Sequence, residues 1–295
     1  MRILITGGCG FVGGHVTREA KGRGHDVCVA DLGRDGVAPD VVLNVTNADD
    51  VSMAVQNQDV VVHCAAVVGP IPARKHPDLA TRLNVGGTAN LLEAARNHGT
   101  RVVYLSTATL YGHRPDLAPL CESDRPEPIS HYDATKYSAE VLCQSYRKDF
   151  GVDVVSVRTG FVYGPGHSTG EYFVEAVLRG ESVHQEAGAD SPCDFTYVKD
   201  LARGLVLAAE HTNLPEPVYN VTGGDLRTRG AFVDIVRDLL PDSDISIGSG
   251  RQPSMHLRGP CAIDLAKRDL GYQPMYSLET GIADWVNTAK GEYQV

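Results

Sequence analysis

No Cys-x-x-Cys pair occurs among the seven cysteines, at 9, 28, 64, 121, 143, 193 and 261, and their number is odd. That pattern argues against a disulfide framework and against a zinc site, and no metal is expected. No apolar run approaches the roughly 18 residues needed to cross a bilayer, and the opening "MRILITGG" runs from a short apolar stretch straight into glycines. With no long hydrophobic leader or cleavage site, the chain reads as cytoplasmic and without a membrane partner. Basic residues are also in deficit: 27 Lys and Arg face 37 Asp and Glu, for a formal charge of −10. A nucleic-acid partner needs a basic face, so that class is excluded as the main business. No internal repeat or low-complexity tract stands out.

What is present is an alternation of elements. Apolar runs of strand length lie at Ile3–Thr6, Val27–Asp31, Val41–Asn44, Val60–Cys64, Val102–Ser106, Val154–Arg158 and Val218–Val221. Several are unbroken Val/Ile/Leu runs, as expected of strands covered on both faces. Helical patterns separate them near 12–23, 77–98, 130–149 and 199–211. This predicts an α/β fold with a doubly wound parallel (Rossmann) sheet. Segments 165–194 and 223–295 break the rhythm and are richer in Pro, Gly and Asp; "YGPGHSTG" and "LPDSDISIGSGRQPS" mark them. They are assigned to a smaller, mostly C-terminal substrate lobe over the sheet's carboxyl edge, leaving 1–164 and 195–222 as the dinucleotide-binding domain.

The first strand enters "TGGCGFVGG", in which Gly7, Gly10 and Gly13 space as G-x-x-G-x-x-G. Backbone that turns from strand into helix and admits a pyrophosphate to its N–H groups has no room for β-carbons there. Plain tight turns also use glycine; the place between first strand and first helix favours the phosphate reading, with Phe11 and Val12 in the same loop. Asp31 ends the second strand 18 residues past Gly13, where a carboxylate can accept bonds from ribose hydroxyls. A 2′-phosphate would meet like charge, which favours NAD over NADP, although Arg34 lies close enough to temper the preference.

In "HYDATKY", Tyr132 and Lys136 are four residues apart and share one helix face. Alone they could be a surface pair. Ser130 followed by Asp133 resembles a capping box, so the helix is predicted to start just before Tyr132.

With these residues, the chain resembles an extended short-chain dehydrogenase/reductase of the NAD-dependent epimerase/dehydratase family. The likeness runs through "TGGCGFVG", Asp31, "VVHCAA" at 61–66, "NVGGTANLLEAA" at 84–95, "LSTATLYG" at 105–112 and "YDATK" at 132–136. It continues through "RTGFVYGPG" at 158–166, "DFTYVKDLARGLVLA" at 194–208 and "YNVTGG" at 219–224. The resemblance implies that Tyr132 is the acid/base, with Lys136 and Thr107 as its catalytic partners. It also implies that Asn44 and Val45 lie by the adenine, although the family commonly has Asp at 44. Ala65 and Ala66 would flank the nicotinamide ribose, and Asn84 would steady backbone near the cofactor. Lowering a phenol by ~3 pH units needs roughly 4 kcal/mol of phenolate stabilisation. Lys136 and an oxidised nicotinamide are the expected sources.

The resemblance leaves the net reaction open. Dehydratases of this kind carry a carboxyl residue just after the catalytic threonine, whereas Thr107 is followed by Ala108, Thr109 and Leu110. Epimerases acting on nucleotide sugars usually grip the diphosphate with an Asn where Phe161 stands and an Arg where Cys193 stands. Thr109, Phe161, Cys193 and Arg251 are therefore expected around the substrate, with Arg251 or Arg258 able to replace the missing charge. Epimerisation of a sugar-like substrate is favoured, followed by net oxidation or reduction of a non-nucleotide alcohol. A non-catalytic dinucleotide-binding regulator comes last, since such relatives commonly lose the Tyr or Lys. Similar proteins dimerise through helices matching 84–98 and 130–149, so a homodimer is expected. Tyr111, Tyr163 and Tyr197 are read as packing residues with satisfied hydroxyls, and His63 as a core histidine.

Overall fold

The computed structural model describes residues 1–34, 36–166, 173–252 and 255–293; of "YGPGHSTG", residues 167–170 lie outside the described residues. Its centre is a seven-stranded sheet in the order β10-β6-β5-β4-β1-β2-β3. The strands are β1 (Arg2–Thr6), β2 (Asp26–Asp31), β3 (Val41–Val42), β4 (Val60–His63), β5 (Arg101–Leu105), β6 (Val154–Arg158) and β10 (Val218–Asn220). Every pairing is parallel. Chain order reverses at β1, which pairs with β2 on one side and β4 on the other, so the loop after β1 opens at the switch point where such sheets take ligands.

Alternation explains why the strands read as continuous apolar runs. Ile3, Ile5, Val60, Val62 and Val103 face one core, with Val16 of α1 (Phe11–Gly22) and Leu201 and Leu205 of α8 (Val198–Glu210). Leu4, Val61, Val102 and Tyr104 face the opposite core. There they meet Val51 of α2 (Ala48–Val55), Leu91 and Leu92 of α5 (Thr88–His98), and Ala139 and Cys143 of α6 (His131–Phe150). Both faces are covered, so both parities are apolar.

The single helix predicted over 77–98 is instead three pieces. These are α4 (Pro77–Thr81), a π-helical segment (Arg82–Gly87) and α5, preceded by the short α3 (Pro70–Lys75). A β-carbon on Gly87 would stand 2.6 Å from Val45 Cγ2, so the widened turn is where the chain presses on the β3–α2 connection. Wide turns of this kind commonly serve to aim a side chain. Here the side chain is Asn84. Two smaller sheets, absent from the reading above, complete the fold. One orders β11 (Leu226–Thr228), β9 (Pro192–Tyr197) and β7 (Phe161–Tyr163); the other pairs β12 (Ile245–Ile247) with β8 (Val183–Gln185). Tyr163, Phe195, Phe232 and Trp285 build a third, aromatic-rich core from these strands with α9 (Arg229–Leu239) and α11 (Leu278–Tyr293).

Two buried histidines are held neutral. His63 stands 2.6 Å from Thr6 Oγ1 through Nδ1 and 3.2 Å from Thr88 Oγ1 through Nε2. Since Thr88 donates to Asn84 O, Nε2 carries the hydrogen and Nδ1 accepts from Thr6. It is a satisfied core histidine, as read above. His15, 5% exposed, donates from Nε2 to Pro165 O at 2.9 Å, and burial holds its imidazole down to about 4. An unfolded chain protonates this ring near its ordinary value. Between the two values the unfolded state therefore binds more protons, and stability falls as pH falls. Replacing His15 by glutamine keeps a donor for Pro165 O without a titrating group. Urea unfolding of both chains is expected to show wild type losing about 3 kcal/mol relative to H15Q between about pH 6.5 and 4. A constant difference across that range would contradict the assignment.

Candidate active site

The glycine loop leaves β1 with Gly7 at φ +71°, where a β-carbon would stand 2.7 Å from the Ala65 amide nitrogen. A β-carbon on Gly13 would overlap the Gly7 carbonyl. These glycines let β1, the start of α1 and the chain after β4 converge. Gly10 caps α1 without a side-chain bond, and no acid stands in the first turn, which includes Phe11 and Val12. That turn is suited to an anion. Asp31 at the end of β2 accepts from Cys9 N at 3.0 Å and Gly33 N at 3.2 Å, holding a carboxylate beside the loop. The residues present therefore fit a dinucleotide whose pyrophosphate lies on the loop and whose ribose meets Asp31.

Around this cradle the predicted residues divide. Ala65 and Ala66 follow β4 beside Gly7, partly exposed. Val45 is buried in the core, and Asn44 is exposed with its side-chain Oδ1 occupied by the Thr46 N–H and hydroxyl. Asn84 is a brace. Its side chain takes the Val67 N–H at 2.8 Å and donates to Val67 O and to Thr135 Oγ1, tying the loop after β4 to α6.

α6 begins at His131 under a complete Ser130–Asp133 capping box, one residue before Tyr132. Tyr132 is 8% exposed and packs with Ala73, Ala80 and Val67. The Thr107 side chain acts on its phenol, favouring the ionised form. Thr107 follows β5 at the sheet's carboxyl edge and stands 3.0 Å from Thr109 Oγ1, which donates to Asp133 Oδ1 at 2.5 Å. Lys136 is also buried; its ammonium donates to Leu105 O at 2.6 Å and lies 4.2 Å from the Tyr104 ring centroid. Burial pushes it down to about 8.

One expectation needs correction. In the protein without cofactor, Tyr132 is not made acidic by Lys136. Burial raises its phenol above the ordinary value, the Asp133 charge adds to the rise, and only the Thr107 side chain opposes it. The ammonium is turned to a carbonyl and a ring face instead.

From Thr109 a cleft extends between the sheet edge and the C-terminal segments. It is lined by Ala108, Gly160, Phe161, Cys193, Asp194, Met255, His256 and Arg258 among others. The structure thus brings Thr109, Phe161 and Cys193 together. Arg251 is exposed and does not line the cleft, whereas Arg258 does. Asp194, which accepts from Cys261 N at 2.8 Å and Gly224 N at 3.2 Å, is pushed up to about 6 by burial. Sequence reasoning passed over Asp194 and His256, and it saw in Asp133 only a cap. The tyrosines behave as read: Tyr111 OH meets Asn220 and Arg158, Tyr163 OH donates to Ser277 O, and Tyr197 OH bonds Asp284.

Fold and site together define an NAD-dependent enzyme of the extended short-chain dehydrogenase/reductase type. The sequence profile of the NAD dependent epimerase/dehydratase family matches residues 3–222, and the chain belongs to that family. A curated relative, UDP-glucuronic acid decarboxylase 1 of Xenopus tropicalis, is 30% identical over 99% of this chain and 73% of its own. The solved UDP-glucose 4-epimerase of Thermus thermophilus, in complex with NAD, superposes with a TM-score of 0.87 at 29% identity, covering 99% of each chain. UDP-glucuronic acid 4-epimerase of Bacillus cereus, solved with UDP-glucuronic acid and NAD, gives 0.85 at 25%, covering 99% of this chain and all of that one. No helix among the described residues is long and apolar enough to cross a membrane, and no group of metal-ligating side chains is found among them.

Proposed function

We propose that the chain epimerises a nucleotide sugar by hydride transfer at a secondary alcohol, with Tyr132 as acid/base. The observation that carries this reading is the buried Tyr132–Thr107 hydroxyl pair at the carboxyl edge of β5, with Lys136 one helical turn on. Tyr132 takes the alcohol proton and returns it, and Thr107 bonds the same oxygen and steadies its charge. Lys136 and Tyr132 would hold the nicotinamide ribose, Asp31 the adenosine ribose, and Gly7, Gly10 and Gly13 with Phe11 and Val12 the pyrophosphate. NAD, when bound, supplies the hydride acceptor and a positive charge close to the phenol. Because burial and Asp133 favour the neutral phenol, the site as built is set to give a proton; taking one depends on that added charge.

A second reading has its own observation. Phe161 and Cys193 line the cleft where similar epimerases place Asn and Arg, which leaves Arg258 as the guanidinium there among the described residues. A substrate without a diphosphate would need fewer cations, and net oxidation of such an alcohol is the alternative. Both readings place substrate in a lobe made of 165–194 and 223–295. Likeness also supports a cytoplasmic homodimer joined through α5 and α6, and exposed Val141 and Phe150 on α6 suit a second copy.

The test is a panel of UDP-glucose, UDP-glucuronic acid and free polyols, followed for both isomer formation and NADH absorbance. Isomer formation from a nucleotide sugar with no steady NADH accumulation is expected. Continuous NADH growth with a free polyol, and no isomer from any nucleotide sugar, would replace this reading with the second.

A further inference from the structure

Among the polar side chains that line the cleft, Thr109 and Asp194 are already engaged. The Thr109 hydroxyl donates to Asp133 Oδ1 at 2.5 Å. Asp194 takes the Gly224 N–H on Oδ1 at 3.2 Å and the Cys261 N–H on Oδ2 at 2.8 Å. His256 is exposed and stands edge-on to the His113 ring, with centroids 6.0 Å apart. Arg258 differs from all of these. Its guanidinium is a fork of N–H donors, and the bond it makes is from Nη1 to Gly112 O at 3.3 Å. The ion pairs formed among the described residues, from Arg2–Asp59 to Arg268–Asp269, do not include it.

The backbone that carries Arg258 is held on both sides. Arg114 N–H meets Leu257 O at 2.6 Å, Leu120 N–H meets Pro260 O at 2.8 Å, and Ala262 N–H returns to Leu120 O at 2.9 Å. A β-carbon on Gly259 would overlap Ala118 O, so the two segments can lie this close only with glycine there. Gly112 ends the short turn Ala108–Tyr111 that follows Thr107. The guanidinium is thus fixed to the same turn as the hydroxyl proposed to bond the reacting oxygen.

We propose that Arg258 selects a sugar acid: its guanidinium takes a carboxylate carried by the sugar ring of the substrate. This rests on the cleft being the seat of that sugar, as proposed above. Charge matching favours a ring carboxylate over the diphosphate. A guanidinium neutralises a carboxylate through two parallel bonds, whereas a diphosphate brings twice the charge. Phe161 and Cys193 add no positive charge to the cleft, and the Asp194 carboxylate beside them repels a doubly charged group more strongly. A neutral hydroxymethyl group in the same place leaves a half-buried cation without a counter-charge. The cleft therefore discriminates among nucleotide sugars by a group on the ring, not by the nucleotide they share.

The test is calorimetric titration of NAD-loaded protein with UDP-glucuronic acid and with UDP-glucose, and the readout is the ratio of the two affinities. Wild type is expected to bind the acid about 10- to 100-fold more tightly, the scale of a hydrogen-bonded charge pair. Arg258→Gln keeps a donor for Gly112 O but no charge, and its ratio is expected to fall below about threefold. Arg258→Lys keeps the charge without the fork and is expected to lie between. A wild-type ratio near one would overturn the inference. So would an R258Q that weakens both ligands equally, because the guanidinium would then be gripping the diphosphate common to both. Binding is read here without turnover. Preference for the acid with no isomer formed would leave the inference standing and overturn epimerisation, whereas isomer formation at equal affinity would do the reverse.

Discussion

Replacing Tyr132 by phenylalanine is expected to lower turnover roughly a thousandfold, the scale of losing a positioned acid/base, while the dissociation constant for NAD changes less than about threefold. The ring packs with Ala73, Ala80 and Val67, and phenylalanine keeps that packing. What goes is the phenol oxygen on which Thr107 acts. Steady-state kinetics and cofactor titration on one preparation check both halves. A variant retaining most activity would transfer the proton to another group, and Asp133, already bonded to Thr109, would be the nearest to examine.

The second large effect concerns stability. Glu140 on α6 and Arg158 at the end of β6 form a fully buried pair, with side chains 0% and 3% exposed. Two guanidinium bonds reach the carboxylate at 2.5 and 3.1 Å, and Ser106 Oγ adds a third at 2.8 Å. Removing one partner strands the other charge in the core. Glu140→Ala is expected to cost about 3–5 kcal/mol in urea unfolding. Replacing both, as in E140L/R158M, should recover most of that loss, because two apolar side chains leave no charge to solvate. The pair also pins α6 against β5 and β6 two turns beyond Tyr132. E140A should therefore lose activity even where it remains folded, and an E140A with wild-type stability would refute the account of this pair.

How far the sequence carried the structure depends on the range of each contact. The glycine loop, Asp31 and the Ser130–Asp133 cap are local signals, and each lies where its spacing placed it. The sheet was legible because strands buried on both faces announce themselves as unbroken apolar runs. The break in 77–98 was not, since the close approach of Val45 to Gly87 comes from a connection some forty residues away. Strands of three residues such as β7, β8 and β11 are too short to show periodicity. Within the site, Tyr132, Lys136 and Thr107 were named from pattern, but their electrostatics were not. Which way the Lys136 ammonium turns is decided by Leu105 O and the Tyr104 ring, and the second oxygen of Asp133 is claimed by a threonine 24 residues earlier. Arg258, rather than Arg251, enters the cleft through a C-terminal segment whose path no local pattern reveals.

The central claim is that substrate hydrogen leaves a carbinol carbon as hydride and returns to that carbon. It is tested by placing deuterium there on whichever nucleotide sugar of the panel turns over, and analysing the product by mass spectrometry and NMR. Retention of the label on the same, inverted carbon, with none lost to solvent, is the result predicted. Wash-out of deuterium into water, or inversion at a carbon that was never labelled, would contradict it.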